Sequence, residues 1–120
     1  MITRKSVNTM SDAEKATFVH ALLELKSRGE YDKFVHWHHH VMIPTILPYE
    51  PRDANFRNGA HRGPAFLPRY REFLMQLEQE LRTIEPTTFI PFWDWTADAK
   101  LPDPASAPIW ADNFNGGERY

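Results

Sequence analysis

The chain has 120 residues, of which 42% are hydrophobic and 13% aromatic; a chain that long buries roughly 65% of its unfolded surface, enough for one packed domain. Its net charge of −2 gives no footing for nucleic acid or an anionic membrane, and the lack of cysteine excludes disulfides, iron–sulfur clusters and thiolate zinc sites. No apolar run of about 18 residues is present to cross a bilayer, and residues 1–10 (MITRKSVNTM) lack the apolar stretch of a signal peptide, so the expectation is a cytoplasmic protein with neither nucleic acid nor membrane as partner.

Ser11 and Glu14 stand at capping-box spacing, where each side chain can satisfy a free backbone N–H of a first helical turn. A helix is therefore predicted from Ser11, with Phe18, Val19, Leu22 and Leu25 as its apolar stripe and Lys26, Arg28 and Gly29 at its end. A second helix is predicted over residues 31–42, because Tyr31, Phe34, Val35, His38, Val41 and Met42 repeat with a 3.6-residue period. His38 falls inside that stripe, and Pro44 ends the helix.

Residues 44–67 hold Pro44, Pro48, Pro51, Gly59, Gly63 and Pro64 and read as a long ordered loop, which in a compact domain usually serves a function. The loop carries His61. Arg52, Arg57, Arg62, Arg69 and Arg71 cluster along it and read as a solvated loop and helix edge. A third helix is predicted from Pro68, which suits the first helical position, with Tyr70, Phe73, Leu74, Leu77, Leu81 and Ile84 on one face and Pro86 as the stop. Beyond it, Phe89-Ile90-Pro91-Phe92-Trp93-Asp94-Trp95 reads as an extended segment packing its aromatics against the helices, since Pro91 argues against a central strand. A short helical turn is predicted within 105–110, and residues 113–120 read as an interrupted loop.

Six histidines stand at positions 20, 36, 38, 39, 40 and 61. Imidazole binds copper, zinc, iron and nickel, and holds copper in both of its common oxidation states. Helical phase splits the 36–40 cluster, turning only His38 toward the apolar stripe. On the residues alone, His38 reads as a hydrogen-bonded core histidine or as a ligand. His36 and His40, four apart on another face, read as surface side chains or as a chelate for an adventitious ion.

Longer motifs narrow these alternatives. Tyr31-Asp32-Lys33-Phe34-Val35-His36-Trp37-His38 resembles the helix that gives the tyrosinase family its first copper-A histidine. His61-Arg62-Gly63-Pro64-Ala65-Phe66-Leu67-Pro68 resembles the segment opening with the second, and Arg71-Glu72-Phe73-Leu74 with Leu77-Glu78 resembles the helix after it. Ile90-Pro91-Phe92-Trp93-Asp94-Trp95, Pro108-Ile109-Trp110 and Phe114-Asn115-Gly116-Gly117 are similar to the end of the same region. The resemblance is to the bacterial type of these type-3 dinuclear copper proteins.

The resemblance implies a mainly α fold, half of a four-helix bundle in which two coppers are each held by three histidines. It implies that residues 1–120 are the N-terminal, copper-A portion, with the copper-B half absent from this chain. The implied activity is o-hydroxylation of monophenols and oxidation of catechols to o-quinones with dioxygen, on phenolic small molecules. The implied ligands are His38, His61 and the residue nine positions later, which is Tyr70 where the family has a third histidine. Arg69 stands where the family has a tryptophan. A phenol, with an ordinary pKa of about 10, must lose a proton to ligate, and phenolate is a poor donor to Cu(I). The expectation is at most one copper site per chain, an inactive or impaired chain on its own, and a copper-B half or a second copy as partner. The alternative is a non-catalytic helical module that kept the fold for copper or partner binding. Without the missing half, Leu74, Leu77, Leu81, Val41 and Met42 are expected to form an exposed apolar patch.

Overall fold

The hydroxyl of Ser11 accepts the N–H of Glu14 at 3.1 Å, and the Glu14 carboxylate accepts the N–H of Ser11 at 2.9 Å. This reciprocal cap opens α1 (Asp12–Ser27), the first helix in a computed structural model that describes residues 3–42, 61 and 63–114. Gly29, at φ 74°, takes the left-handed conformation that ends α1, and its N–H donates to the Lys26 carbonyl at 2.9 Å. The chain turns at once into α2 (Glu30–Met42); α3 (Phe66–Ile84) and the one-turn α4 (Trp95–Asp98) follow. Short 3₁₀ turns lie at Val7–Thr9, Pro104–Ser106 and Pro108–Trp110, the last two covering the turn predicted within 105–110. The described residues are thus mainly α, as expected, and none of their helices is long and apolar enough to cross a membrane.

α3 begins at Phe66, two residues before Pro68. The first four N–H groups of a helix have no intrahelical partner, so a proline in the third position removes nothing the helix needs. Ala65 supplies no side-chain cap; the entry is a turn in which the Phe66 N–H donates to the Gly63 carbonyl at 3.1 Å.

α1 packs against both α2 and α3. Ala21, Leu25 and Leu81 are at most 1% exposed at this junction, with Phe18, Leu22, Leu77, Ile84 and Ile90 packed around them. The exposed patch expected on α3 therefore does not form as drawn. Leu81 is wholly buried against Ala21 and Leu25 of α1 with Leu77 packed beside it, and Leu74 and Val41 are half-buried. Met42 alone of that group is exposed, and so is Val35, at 51%.

On α2, Tyr31, Phe34, His38 and Val41 lie on the less exposed side as expected, and Val35 and Met42 do not. Its inward side is Phe34, Trp37, His38 and Val41, at i, i+3, i+4 and i+7, all half-buried, and none of its residues is fully buried. Trp37 takes the place assigned to Val35 because Phe73 of α3 lies opposite it, the two rings stacked at 5.2 Å.

A buried charge fixes the rest of the chain to α3. Glu78, 6% exposed, accepts Arg4 Nε at 3.0 Å and Nη2 at 3.2 Å, and the N–H of Ile90 at 2.9 Å. Burial pushes this carboxyl's pKa up, but the Arg4 guanidinium and the Ile90 N–H outweigh it and hold the group below the ordinary 4.5. The segment after α3 then runs beside the N-terminus in an isolated parallel bridge: the Phe92 N–H donates to the Lys5 carbonyl and the Val7 N–H to the Phe92 carbonyl, each at 3.0 Å. Of the aromatic run, Phe89 is buried and Ile90 joins the α1–α3 core, as expected; Phe92, Trp93 and Trp95 are instead about half exposed or more. A second small core unites Val7, Ala107 and Ile109. Asp98 is buried beside it and accepts Asn8 Nδ2 and Trp93 Nε1, both at 2.8 Å. The loop residues Pro44, Pro48, Pro51 and Gly59, the arginines 52, 57 and 62, and the tail motif 115–117 lie outside the described residues.

Candidate metal centre

The side chains predicted as ligands meet where α2 and the start of α3 face each other. His38 comes from the inward side of α2, Tyr70 from the first turns of α3, and His61 from the segment leading into α3. The His38 ring centroid is 6.0 Å from that of His61 and 5.6 Å from that of Tyr70, and the His61 and Tyr70 rings are 6.0 Å apart. All three are half-buried. Imidazole nitrogens bind a metal at about 2 Å, which sets rings sharing one ion roughly 5–6 Å apart, so the three rings stand at a separation one ion can bridge.

The third donor departs from an imidazole set in more than name. Tyr70 Oη and His61 Nε2 share a hydrogen bond of 3.0 Å. The phenol thus already engages one of the two ring nitrogens of His61. Two imidazoles and one phenol fit a copper ion as two nitrogen donors plus an oxygen that ligates only after losing its proton. Among the described residues, no group of three His, Cys, Asp or Glu side chains is placed to hold a metal without that phenol.

Aromatic rings wall the cluster. Phe73 lies 5.9 Å from the His38 ring and 5.7 Å, edge-on, from Phe34; Phe66 lies 4.8 Å from Tyr70. The Arg69 guanidinium sits 6.0 Å over the Trp37 ring and 5.8 Å over that of Tyr70, a cation–π position. Arg69 is therefore half-buried against the site and leaves the solvated group assigned to the arginine cluster, whereas Arg71 is exposed. The role of Trp37 and Phe73 as site walls escaped the pattern reading. The signal was present, since Trp37 follows Phe34 by three and precedes Val41 by four. His36, His39 and His40 are exposed and off the inward face, as helical phase requires.

With this geometry in view, the chain's relatives are informative. The family described as the common central domain of tyrosinase matches residues 28–119, a span containing His38, His61 and Tyr70. The chain is similar to the grixazone synthase of Streptomyces griseus, 40% identical over 114 residues that cover 95% of this chain and 35% of that protein. It is equally similar to a tyrosinase of Streptomyces glaucescens, 40% identical over 117 residues that cover 98% of this chain and 39% of the relative. A tyrosinase of Felis catus is 38% identical over 91 residues, 72% of this chain and 16% of its own length. The chain thus spans less than half the length of each of these relatives.

Proposed function

The chain belongs to the tyrosinase family, in its bacterial type, and from that premise we propose that it is the copper-A portion of a type-3 copper oxidoreductase acting on phenolic small molecules with dioxygen. The observation that carries the reading is the convergence of His38, His61 and Tyr70, from three separate segments, on one half-buried point between α2 and α3. His38 and His61 would hold one copper ion, with Tyr70 at the third position. Copper, when bound as a pair in the complete site, supplies the electron exchange with dioxygen that converts catechols to o-quinones. The part of this chain's residues is to hold and shield. Each imidazole would offer a ring nitrogen, α2 fixes the direction of His38, and the Phe66 and Phe73 rings lie against the donors. The second copper and its ligands would come from a copper-B half, on further sequence or another chain.

A second reading, a non-catalytic helical module, is favoured by the Tyr70–His61 hydrogen bond, which satisfies a ligand nitrogen without metal. Copper titration separates the two. The first reading expects about one tightly held copper per chain, lost on His38→Ala or His61→Ala and retained when His36, His39 and His40 are all replaced. The second, in its partner-binding form, expects no tight copper in any of these proteins. Catechol oxidation by the chain co-produced with the C-terminal portion of a bacterial relative then tests the oxidoreductase reading; absence of turnover in a copper-loaded complex would count against it.

A further inference from the structure

We infer that His36 and His40, one turn apart on the outer face of α2, form a surface site for a divalent transition-metal ion, separate from the His38–His61–Tyr70 cluster. The two rings are already side by side, with centroids 6.5 Å apart and planes inclined by 27°. Both residues are exposed, and no hydrogen bond among the described residues holds either ring elsewhere. Placing both nitrogens about 2 Å from one ion requires only a small approach of the rings, which side-chain rotation supplies while the helix stays as it is.

The surroundings favour a cation. His36 and His40 line a shallow groove with Gly29, Asp32, Lys33 and Trp37. Asp32 stands one turn before His36, and its carboxylate is held only by an exposed Lys26 ammonium at 3.4 Å. Among the described residues lining the groove, the one positive charge, Lys33, is drawn aside by both carboxylate oxygens of Glu30, each at 2.7 Å. Two imidazoles select Cu²⁺, Ni²⁺ and Zn²⁺ over the harder Mg²⁺ and Ca²⁺. With only two resident donors, water completes the coordination and the ion exchanges readily.

Position separates this site from the inner one. Residues 36 and 40 lie two positions either side of His38, so their side chains leave the helix roughly 160–200° away from it. Bridging consecutive turns, the ion constrains α2 alone. It stabilises that helix to the extent that it binds the folded chain and not the unfolded one.

Zn²⁺ is the probe of choice, titrated calorimetrically into the full chain carrying His38→Ala and His61→Ala, with the thermal midpoint followed by circular dichroism. One Zn²⁺ per chain should bind, and the midpoint should rise with Zn²⁺ concentration. Adding His36→Ala or His40→Ala should abolish both effects, and adding His39→Ala should leave both. Should the His38→Ala, His61→Ala protein not fold, the otherwise unchanged chain serves. There, replacing His36 and His40 should remove one bound ion and its share of the midpoint shift. Zn²⁺ binding that survives the loss of His36 and His40, or that vanishes with His38 and His61 in a folded chain, overturns the inference. So does a stoichiometry of one ion per two chains with matching dimer formation.

Discussion

The two ends of α3 are built differently. Toward its C-terminus, Leu81 is 0% exposed against Ala21 and Leu25 of α1, and the carboxylate of Glu78 is satisfied by Arg4 and Ile90. Toward its N-terminus, Phe66 and Leu67 are 40% and 75% exposed, and the helix faces α2, which has no fully buried residue. The candidate ligands sit at this second end. Packing that fixes the fold is therefore separated from the residues proposed to bind metal. Substitutions among the donors should cost little stability, and Phe66 and Leu67 beside them are exposed.

The comparison breaks most visibly if the anchored end is weakened. Leu81→Ala removes a wholly buried side chain and should cost about 2–5 kcal/mol, read as a lowered urea midpoint. Met42→Ala, at an exposed position near the other end, should stay within about 0.5 kcal/mol. Equal losses would show that the two ends share one core.

Acid should act on the same end. The Glu78 carboxyl is held below its ordinary 4.5 by Arg4 and Ile90. Its contribution is therefore present above that value and is lost as pH falls through the lower, folded-state value. Glu78→Gln should cost about 1–3 kcal/mol at pH 7 and make the urea midpoint less sensitive to pH in the acid range. A variant whose acid sensitivity matches the parent's would assign the effect to other carboxylates.

At the open end the expected changes are in affinity. Tyr70→His replaces the phenol on His61 Nε2 by a third imidazole and should tighten copper binding by roughly tenfold, about 1.4 kcal/mol. Adding Arg69→Trp, which removes a guanidinium from over the Trp37 ring, should tighten it further by taking a positive charge away from the ion. Unchanged copper titrations for both variants would mean that the donors do not act together in this chain.

The smallest effect concerns the exposed apolar residues. Val35→Ser and Leu67→Ser, at positions 51% and 75% exposed, should leave stability within about 0.5 kcal/mol while reducing self-association in sedimentation. Association that persists in the double variant would place the contact elsewhere, for example on the exposed Trp93 and Trp95.

Much of this architecture is local and was legible in the chain itself. The Ser11–Glu14 box, Gly29 past the end of α1 and the proline stop after Ile84 depend on residues within a turn of each other, and each element formed accordingly. The inward turn of His38, away from His36, His39 and His40, follows from helical period alone, and the resemblance to the tyrosinase family pointed to His61 and residue 70. What lies opposite each face could not be read this way, because burial is decided by a partner remote in sequence. Phe73 chose Trp37 over Val35, α1 covered the stripe of α3, and Arg4 reached across the chain to let Glu78 be buried. The hydrogen bond between Tyr70 and His61 belongs to the same class. The family resemblance named both residues, but only the folding of the chain between α2 and α3 set the phenol against the imidazole nitrogen.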